Sequence, residues 1–447
     1  MSGPSDKARF YLEQSATELD ELERKKIFSR EEISSIARKR SDFEHIINAR
    51  GSSPSDYVRY IDFEKNVDAL RRKRIKRLGV RYKGSGQRTI YFLYNRGTKK
   101  FPGDLGLWMQ YIEFARKDKA FKRLNDIFTS VVRLHPTKPD LWVYAANYFM
   151  ETQADITNAR SYMQRGLRFC KHSELLWLEY AKLETIYIGK IAGRRKILGL
   201  DDDMAQKKAQ ESGDFDSDMI ALPDITAEDV NPSLGKDDGV DEEALRNMKN
   251  APILTGAIPM AVFDSAMKEF QDKPEMAGRF FDMFAEFDQL PCARRLLQHV
   301  LDHLQQNSSS SIQTAICAFR MRLFGIHPTS PEFPSALRDS LDTLNQSIQS
   351  HPHDQARISE AAVRHILPLM RTEDMDVGVS KALSISLRKY CRLLEESGTG
   401  SSGDVVGGLA ERLLQEKHKE DAEELIRRTL KLWGSNERIS QLRASLE

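Results

Sequence analysis

The side chains best able to do chemistry in this chain are few and scattered. His299 and His303 stand four apart, on one face of a helix, with Cys292 upstream. Two imidazoles and a distant thiol fall short of a closed zinc site, and Asp302 is not where a metalloprotease carries its glutamate. They read as surface histidines. Gly84-Ser85-Gly86-Gln87-Arg88-Thr89 lacks the Gly-Lys-Ser/Thr ending that sets a lysine on phosphates, and no strand leads into it. It reads as a loop before a helix. Cys170, Cys292, Cys317 and Cys391 show no paired spacing and are expected to be reduced thiols of an intracellular protein. Met260, Met267, Met276 and Met283 recur at about two helical turns, as core methionines do. With no HExxH, GxSxG elbow or dinucleotide fingerprint in the chain, the expectation is no enzyme: no catalytic residue, cofactor, metal or small-molecule substrate.

One charged run stands out: Arg71, Arg72, Lys73, Arg74, Lys76 and Arg77, interrupted by Ile75. Such a run contacts phosphate, serves nuclear import, or is a solvated helix face. No aromatic is interleaved for base stacking, which argues against sequence-specific RNA recognition. Over the whole chain charge is nearly balanced, 68 Lys+Arg against 66 Asp+Glu, so the chain as a whole is no generic polyanion binder. No apolar run is long enough to span a bilayer, and MSGPSDKARF lacks the apolar core of a signal peptide.

The elements behind these residues follow from tryptophan spacing. Trp108, Trp142 and Trp177 are separated by 34 and 35 residues (142 − 108 and 177 − 142), the period of a stacked helix pair. Offsets of +3, +6 and +7 from these positions fall on one helix face: Tyr111 and Phe114 after Trp108, and Tyr180, Leu183 and Glu184 after Trp177. Tyr57, Tyr60, Phe63 and Glu64 carry the full pattern with tyrosine leading, and Phe281, Phe284, Phe287 and Asp288 repeat it later. The unit of Trp142 departs, with Ala145 at +3 and Phe149 at +7; its Tyr148 joins the expected core. Pro102 and Pro136 lie six residues before their tryptophans, in the turn. Arg96-Gly97 and Arg165-Gly166 lie twelve and eleven residues before Trp108 and Trp177, and glycine there predicts two helices crossing closely.

Before this array, 1–50 reads as two amphipathic helices broken near Ile27–Arg30, with Ser29 as a helix start. They form a cap or docking segment. Repeats fill 51–200. From 201 to 250 acidic and small residues predict a mobile linker. Pro252, Gly256 and Pro259 then shape a turn, and degraded repeats run over 251–447, with a Ser/Gly-rich loop at Ser397–Gly408 and Trp433 in the terminal core. The fold class is all-α, a solenoid of helix-pair repeats in two halves.

The aromatic pattern, with Ala-Arg and Arg-Gly on the partner helix, resembles the half-a-tetratricopeptide (HAT) repeat. Glu21-Leu22-Glu23-Arg24, Arg38-Lys39-Arg40-Ser41-Asp42-Phe43-Glu44, Asp56-Tyr57-Val58-Arg59-Tyr60, the Leu70–Leu78 basic helix and ILTGAIPMAVFD at 253–264 resemble the U-three-protein 6 family. That resemblance implies a nucleolar scaffold of the small-subunit processome, in its B subcomplex, acting in early processing of the pre-ribosomal RNA. Implied partners are β-propeller subunits, with U-three small nucleolar RNA and pre-rRNA bound indirectly and no membrane. The alternatives are a HAT scaffold of the spliceosome or of mRNA 3′-end formation, and direct RNA binding by residues 71–77.

Overall fold

A computed structural model describes residues 4–82, 84, 86–197, 252–371, 375–396, 403–433 and 436–446. The expected acidic linker lies outside the described residues. Among those described every regular element is helical. Nine helices precede the undescribed stretch: α1 (Pro4–Arg24), α2 (Arg30–Asn48), α3 (Pro54–Leu78), α4 (Gly86–Lys100), α5 (Leu105–Lys117), α6 (Phe121–Leu134), α7 (Pro139–Thr152), α8 (Ile156–Phe169) and α9 (Glu174–Ile197). After it come α10 (Ala257–Glu269), α11 (Pro274–Ala285), α12 (Ala293–Asn307), α13 (Ile312–Leu323), α14 (Phe333–Ser350), α15 (Gln355–Met370), α16 (Val377–Glu396), α17 (Asp404–Gln415), α18 (Lys419–Trp433) and α19 (Glu437–Leu446). Packing divides the chain into two compact units, Met1–Ala145 and Ala146–Glu447.

In the first unit α1 packs on α2, α3 on α4 and α5 on α6. Local chemistry sets the starts. Ser29 and Glu32 form a reciprocal capping box on α2, and Pro54 opens α3 behind Ser53 and Asp56. Each tryptophan does two jobs. Its ring packs in the repeat while its one donor, Nε1, reaches the turn carbonyl six residues earlier: Trp108 to Pro102 at 3.0 Å, Trp142 to Pro136 at 2.9 Å and Trp177 to Lys171 at 2.8 Å. The +3 aromatics Tyr60 and Tyr111 stack on Phe43 and Tyr94, centroids 5.0 Å apart in both pairs. In the unit of Trp142, Ala145 holds that +3 place and Phe128, seventeen residues earlier (145 − 128), holds that of Phe43 and Tyr94.

Gly97 marks the close crossing. A Cβ there would lie 2.9 Å from Leu107 Cδ2 and 3.0 Å from Tyr57 Cδ1. The leucine tip can yield, but the buried tyrosine ring cannot move far. Gly97→Ala is expected to cost about 1–3 kcal/mol as overpacking, read as a lowered denaturation midpoint with an unchanged slope.

In the second unit α9 packs against α8, α10 and α11, so the helices flanking the undescribed stretch meet directly. Exposed pairs line their seam, Lys182 with Glu286 at 3.3 Å and Arg279 with Glu174. Further on α11 packs with α12, α13 with α14, α15 with α16, and α17 with α18 and α19. Two expectations need correction here. Pro259 lies in the first turn of α10, where a missing N–H costs nothing, and Gly256 at φ 77° makes the turn before it. Of the expected Ser/Gly loop, 397–402 lies outside the described residues, while Asp404 onward is helical, with the Arg438 side chain lying against Gly407 and Gly408 of α17.

Candidate interaction surfaces

Polar side chains inside the repeats come first, because they decide what is left for partners. Arg40 of α2 donates through Nε and Nη2 to both oxygens of Glu64, each at 2.8 Å, with the two side chains 5% and 2% exposed. Arg160 of α8 repeats this on Glu184, both bonds 2.7 Å. Both arginines lie 24 residues before their glutamate. In the units without the +7 glutamate that offset joins Tyr91 to Ala115 (115 − 91 = 24) and Asn125 to Phe149 (149 − 125 = 24). Where the carboxylate is missing the arginine is missing too. A lone buried guanidinium would be strongly destabilising, so the charges occur as pairs or not at all. The neutral substitute Tyr91 turns its hydroxyl to Asp118 Oδ2 at 2.9 Å, and burial, with Asp118 acting the same way, pushes its phenol up.

The expected core residues are placed as follows. Tyr57, Tyr60, Trp108, Trp142, Tyr148, Tyr180, Leu183, Phe281 and Phe284 are buried. Phe63, Tyr111, Phe114, Trp177 and Phe287 are only half-buried. For Phe287 the reason is that α11 ends at Ala285, so the +6 and +7 offsets leave the helix, and Asp288 is exposed instead of taking the place of Glu64 or Glu184.

The structure divides the basic run. Arg71 is buried, bonded through Nη1 to Glu18 at 3.2 Å and through Nη2 to Asp68. Arg74 grips both oxygens of Glu32 at 2.6 Å and also donates to the Ile27 carbonyl at 3.1 Å. Arg72 pairs with Asp68 at 2.8 Å. Arg72, Lys73, Lys76 and Arg77 are exposed. Two of the six cations, Arg71 and Arg74, hold α3 to α1 and to α2, which removes those two from any phosphate surface.

The Arg74 bond makes one acid-sensitive contact. The hydrogen bonds from Arg74, then from the Ser29 amide, lower the Glu32 carboxyl from its ordinary 4.5 to about 2. A depressed folded-state value means stability that is present above about pH 4.5 and lost as pH falls toward about 2. The stability difference between the native chain and Glu32→Gln should therefore shrink through that window in denaturant titrations. A difference that stays constant would show that Glu32 acts through packing alone.

Beside this network a cleft of about 720 Å³ opens between α1 and the helices α2 to α4, lined by Tyr11, Glu18, Arg40, Tyr60, Arg88 and Phe92. Its carboxylates are engaged: Glu18 by Arg71, and Glu44 by Arg96 at 2.8 and 3.0 Å. The Arg96 guanidinium also sits 4.0 Å over the Tyr11 ring, and Tyr11 leans on Phe92 at 5.4 Å. Sequence reading passed over Tyr11 and Phe92, because neither stands at a repeat offset.

No reactive centre forms around the residues first considered. His299 Nε2 is 2.7 Å from Asp264 Oδ1 and His303 Nε2 is 3.0 Å from Asp272 Oδ1, so each histidine has its own carboxylate. Among the described residues no group of three or more His, Cys, Asp or Glu could hold a metal ion. Burial pushes the Cys317 and Cys391 thiols up to about 12, far from thiolate chemistry at neutral pH. No described helix is long and apolar enough to cross a membrane.

Comparison with known proteins adds to this geometry. Residues 12–96 match the family model described as U3 small nucleolar RNA-associated protein 6. Residues 84–192 match the PRP39 N-terminal HAT repeat, and with the helix pairs above this makes the fold an all-α solenoid of HAT repeats. The U3 small nucleolar RNA-associated protein 6 of Schizosaccharomyces pombe is 34% identical over 50% of this chain and 48% of its own length. The mouse homolog is 30% identical over 46% of this chain and 34% of its own. The Dictyostelium discoideum homolog is 25% identical over 77% of this chain and 57% of its own. The chain thus spans about half, or less, of the length of the first two relatives.

Proposed function

We propose, from the match of residues 12–96 to the U3 small nucleolar RNA-associated protein 6 family and the likeness to its relatives, that this chain is a non-catalytic scaffold subunit of the small-subunit processome. It works in the nucleolus, in the B subcomplex, and serves pre-18S ribosomal RNA processing through protein contacts. The observation that carries this reading is the family match over residues 12–96, the stretch that forms α1 to α4. Stacked helix pairs support it chemically: they give long surfaces at fixed spacing, suited to holding several partners. β-Propeller subunits are the expected partners, with U-three RNA and pre-rRNA reached through them. Direct RNA binding by residues 71–77 loses weight, because Arg71, Arg72 and Arg74 are already paired.

Tagged purification from cell extract, with and without nuclease, tests the proposal. β-Propeller subunits that survive nuclease, with U-three RNA in the untreated sample, are the expected result. Splicing or 3′-end factors in their place would overturn the processome reading. Loss of every partner on nuclease treatment would overturn the scaffold reading and favour the Lys73–Arg77 edge of α3 as an RNA contact.

A further inference from the structure

The outward face of α16 in the second unit has a composition that folding does not require. Its inward face is ordinary core: Val379, Leu383, Leu387, Tyr390, Cys391 and Leu394 are all buried, and α15 is the neighbour it packs on most closely. Outward, Val377, Lys381, Ile385, Arg388 and Arg392 follow one another at steps of 4, 4, 3 and 4 (381 − 377, 385 − 381, 388 − 385, 392 − 388), a single row along the helix. The row runs for about 22 Å at 1.5 Å per residue. Val377 and Ile385, 67% and 66% exposed, stand in the same row as the cations. Lys381, Arg388 and Arg392 are exposed, and none forms an ion pair with another described residue. Lys389 beside them is different, since it donates to Asn345 Oδ1 at 2.7 Å. Arg428 of α18, whose Nη1 comes within 3.4 Å of Ser384 Oγ on α16, is already paired with Glu424 at 2.7 Å and belongs to the packing of this helix, not to the row.

We propose that this row is a docking surface for an acidic amphipathic helix of another protein. Its carboxylates would meet Lys381, Arg388 and Arg392, and its apolar side chains would cover Val377 and Ile385. The charge on the page chooses the sign of the partner, and the apolar residues choose its class. A single RNA strand contacting three cations would show a salt slope of only about −2, shallow for a dedicated site. It would also leave Val377 and Ile385 against hydrated phosphates, with nothing gained from them. A protein helix uses both kinds of side chain at once, with apolar anchors set among charges that fix register.

The test uses the full chain and two labelled probes, read by fluorescence anisotropy. One is a synthetic helix with leucines on one face flanked by glutamates, paired with a scrambled peptide of the same composition. The other is oligouridine. The expected result is that the amphipathic peptide binds and the scrambled one does not. Lys381→Glu with Arg388→Glu and Arg392→Glu should then weaken binding at least about tenfold, and Ile385→Asp alone should weaken it by a similar factor. Circular dichroism melts should be unchanged, because all four side chains are exposed; if the triple variant melts early, the corresponding glutamine variants replace it. Oligouridine lost on charge reversal but indifferent to Ile385→Asp would overturn the protein partner in favour of a phosphate contact. Peptide binding that survives both variants, or no peptide binding at all, would also overturn the assignment.

Discussion

Glu64→Ala is expected to destabilise the first unit by about 3–5 kcal/mol, as breaking a buried ion pair does. The carboxylate is 2% exposed and accepts two bonds from Arg40, itself 5% exposed. Removing it strands a guanidinium whose Nη1 already has no hydrogen-bond partner and sits 4.0 Å from Glu18. Arg40 lines the cleft beside α1, but Glu64 itself is only 2% exposed, so hydration replaces the lost attraction only in part. The same reasoning predicts a rescue. Arg40→Met combined with Glu64→Leu removes both charges and keeps volume, and should recover about half or more of the loss. Tyrosine would serve less well at 40 than it does at 91. The residue 27 positions on is Asp118 for Tyr91 (91 + 27) but Val67 for position 40 (40 + 27), so the acceptor that Tyr91 uses has no counterpart there. Amide hydrogen exchange in α2 and α3 is the measurement of choice, since a chain of two units need not unfold in one step. A single variant as stable as the native chain would mean that the pair is replaceable by water.

That pair also shows where sequence reading stops. The Trp, Tyr and Phe positions were legible because each repeat restates them at a fixed offset on one helix. The close approach at Gly97 was legible for the same reason. Arg40, Arg96 and Arg160 were not. Only two of four units keep the Arg–Glu pair, and a 24-residue offset joins different helices, beyond any single-helix periodicity. The basic run failed in another way. Its charge was visible, and so was Asp68, one helical turn before Arg71, but the acids that tie Arg71 and Arg74 to other helices are Glu18 and Glu32, 53 and 42 residues away in sequence. Nothing local marks Arg74 off from Lys73 or Arg77. The junction of α9 with α10 and α11 was equally hidden, because a composition change at 201–250 says nothing about whether the helices on either side meet.

Trp142→Ala should cost about 3–5 kcal/mol, the other large effect, and the size of the loss separates packing from hydrogen bonding. The side chain is 3% exposed in a buried stretch of α7, so truncation leaves an interior cavity. Its Nε1 bond to the Pro136 carbonyl contributes only about 0.5–1.5 kcal/mol of this. Trp142→Phe keeps most of the ring and loses that donor, and is therefore expected to cost about 1–2 kcal/mol. Trp177→Ala supplies the contrast. It keeps the same bond, to Lys171 at 2.8 Å, yet the ring is only half-buried. If burial sets the cost, Trp177→Ala falls well below Trp142→Ala while the two Trp→Phe variants match. If the turn bond sets it, the two alanine variants match instead, and the tryptophans are clasps that close each turn before they are core. Amide hydrogen exchange in the helices carrying each tryptophan, measured for these four variants, decides between the two, since the residues lie in different units.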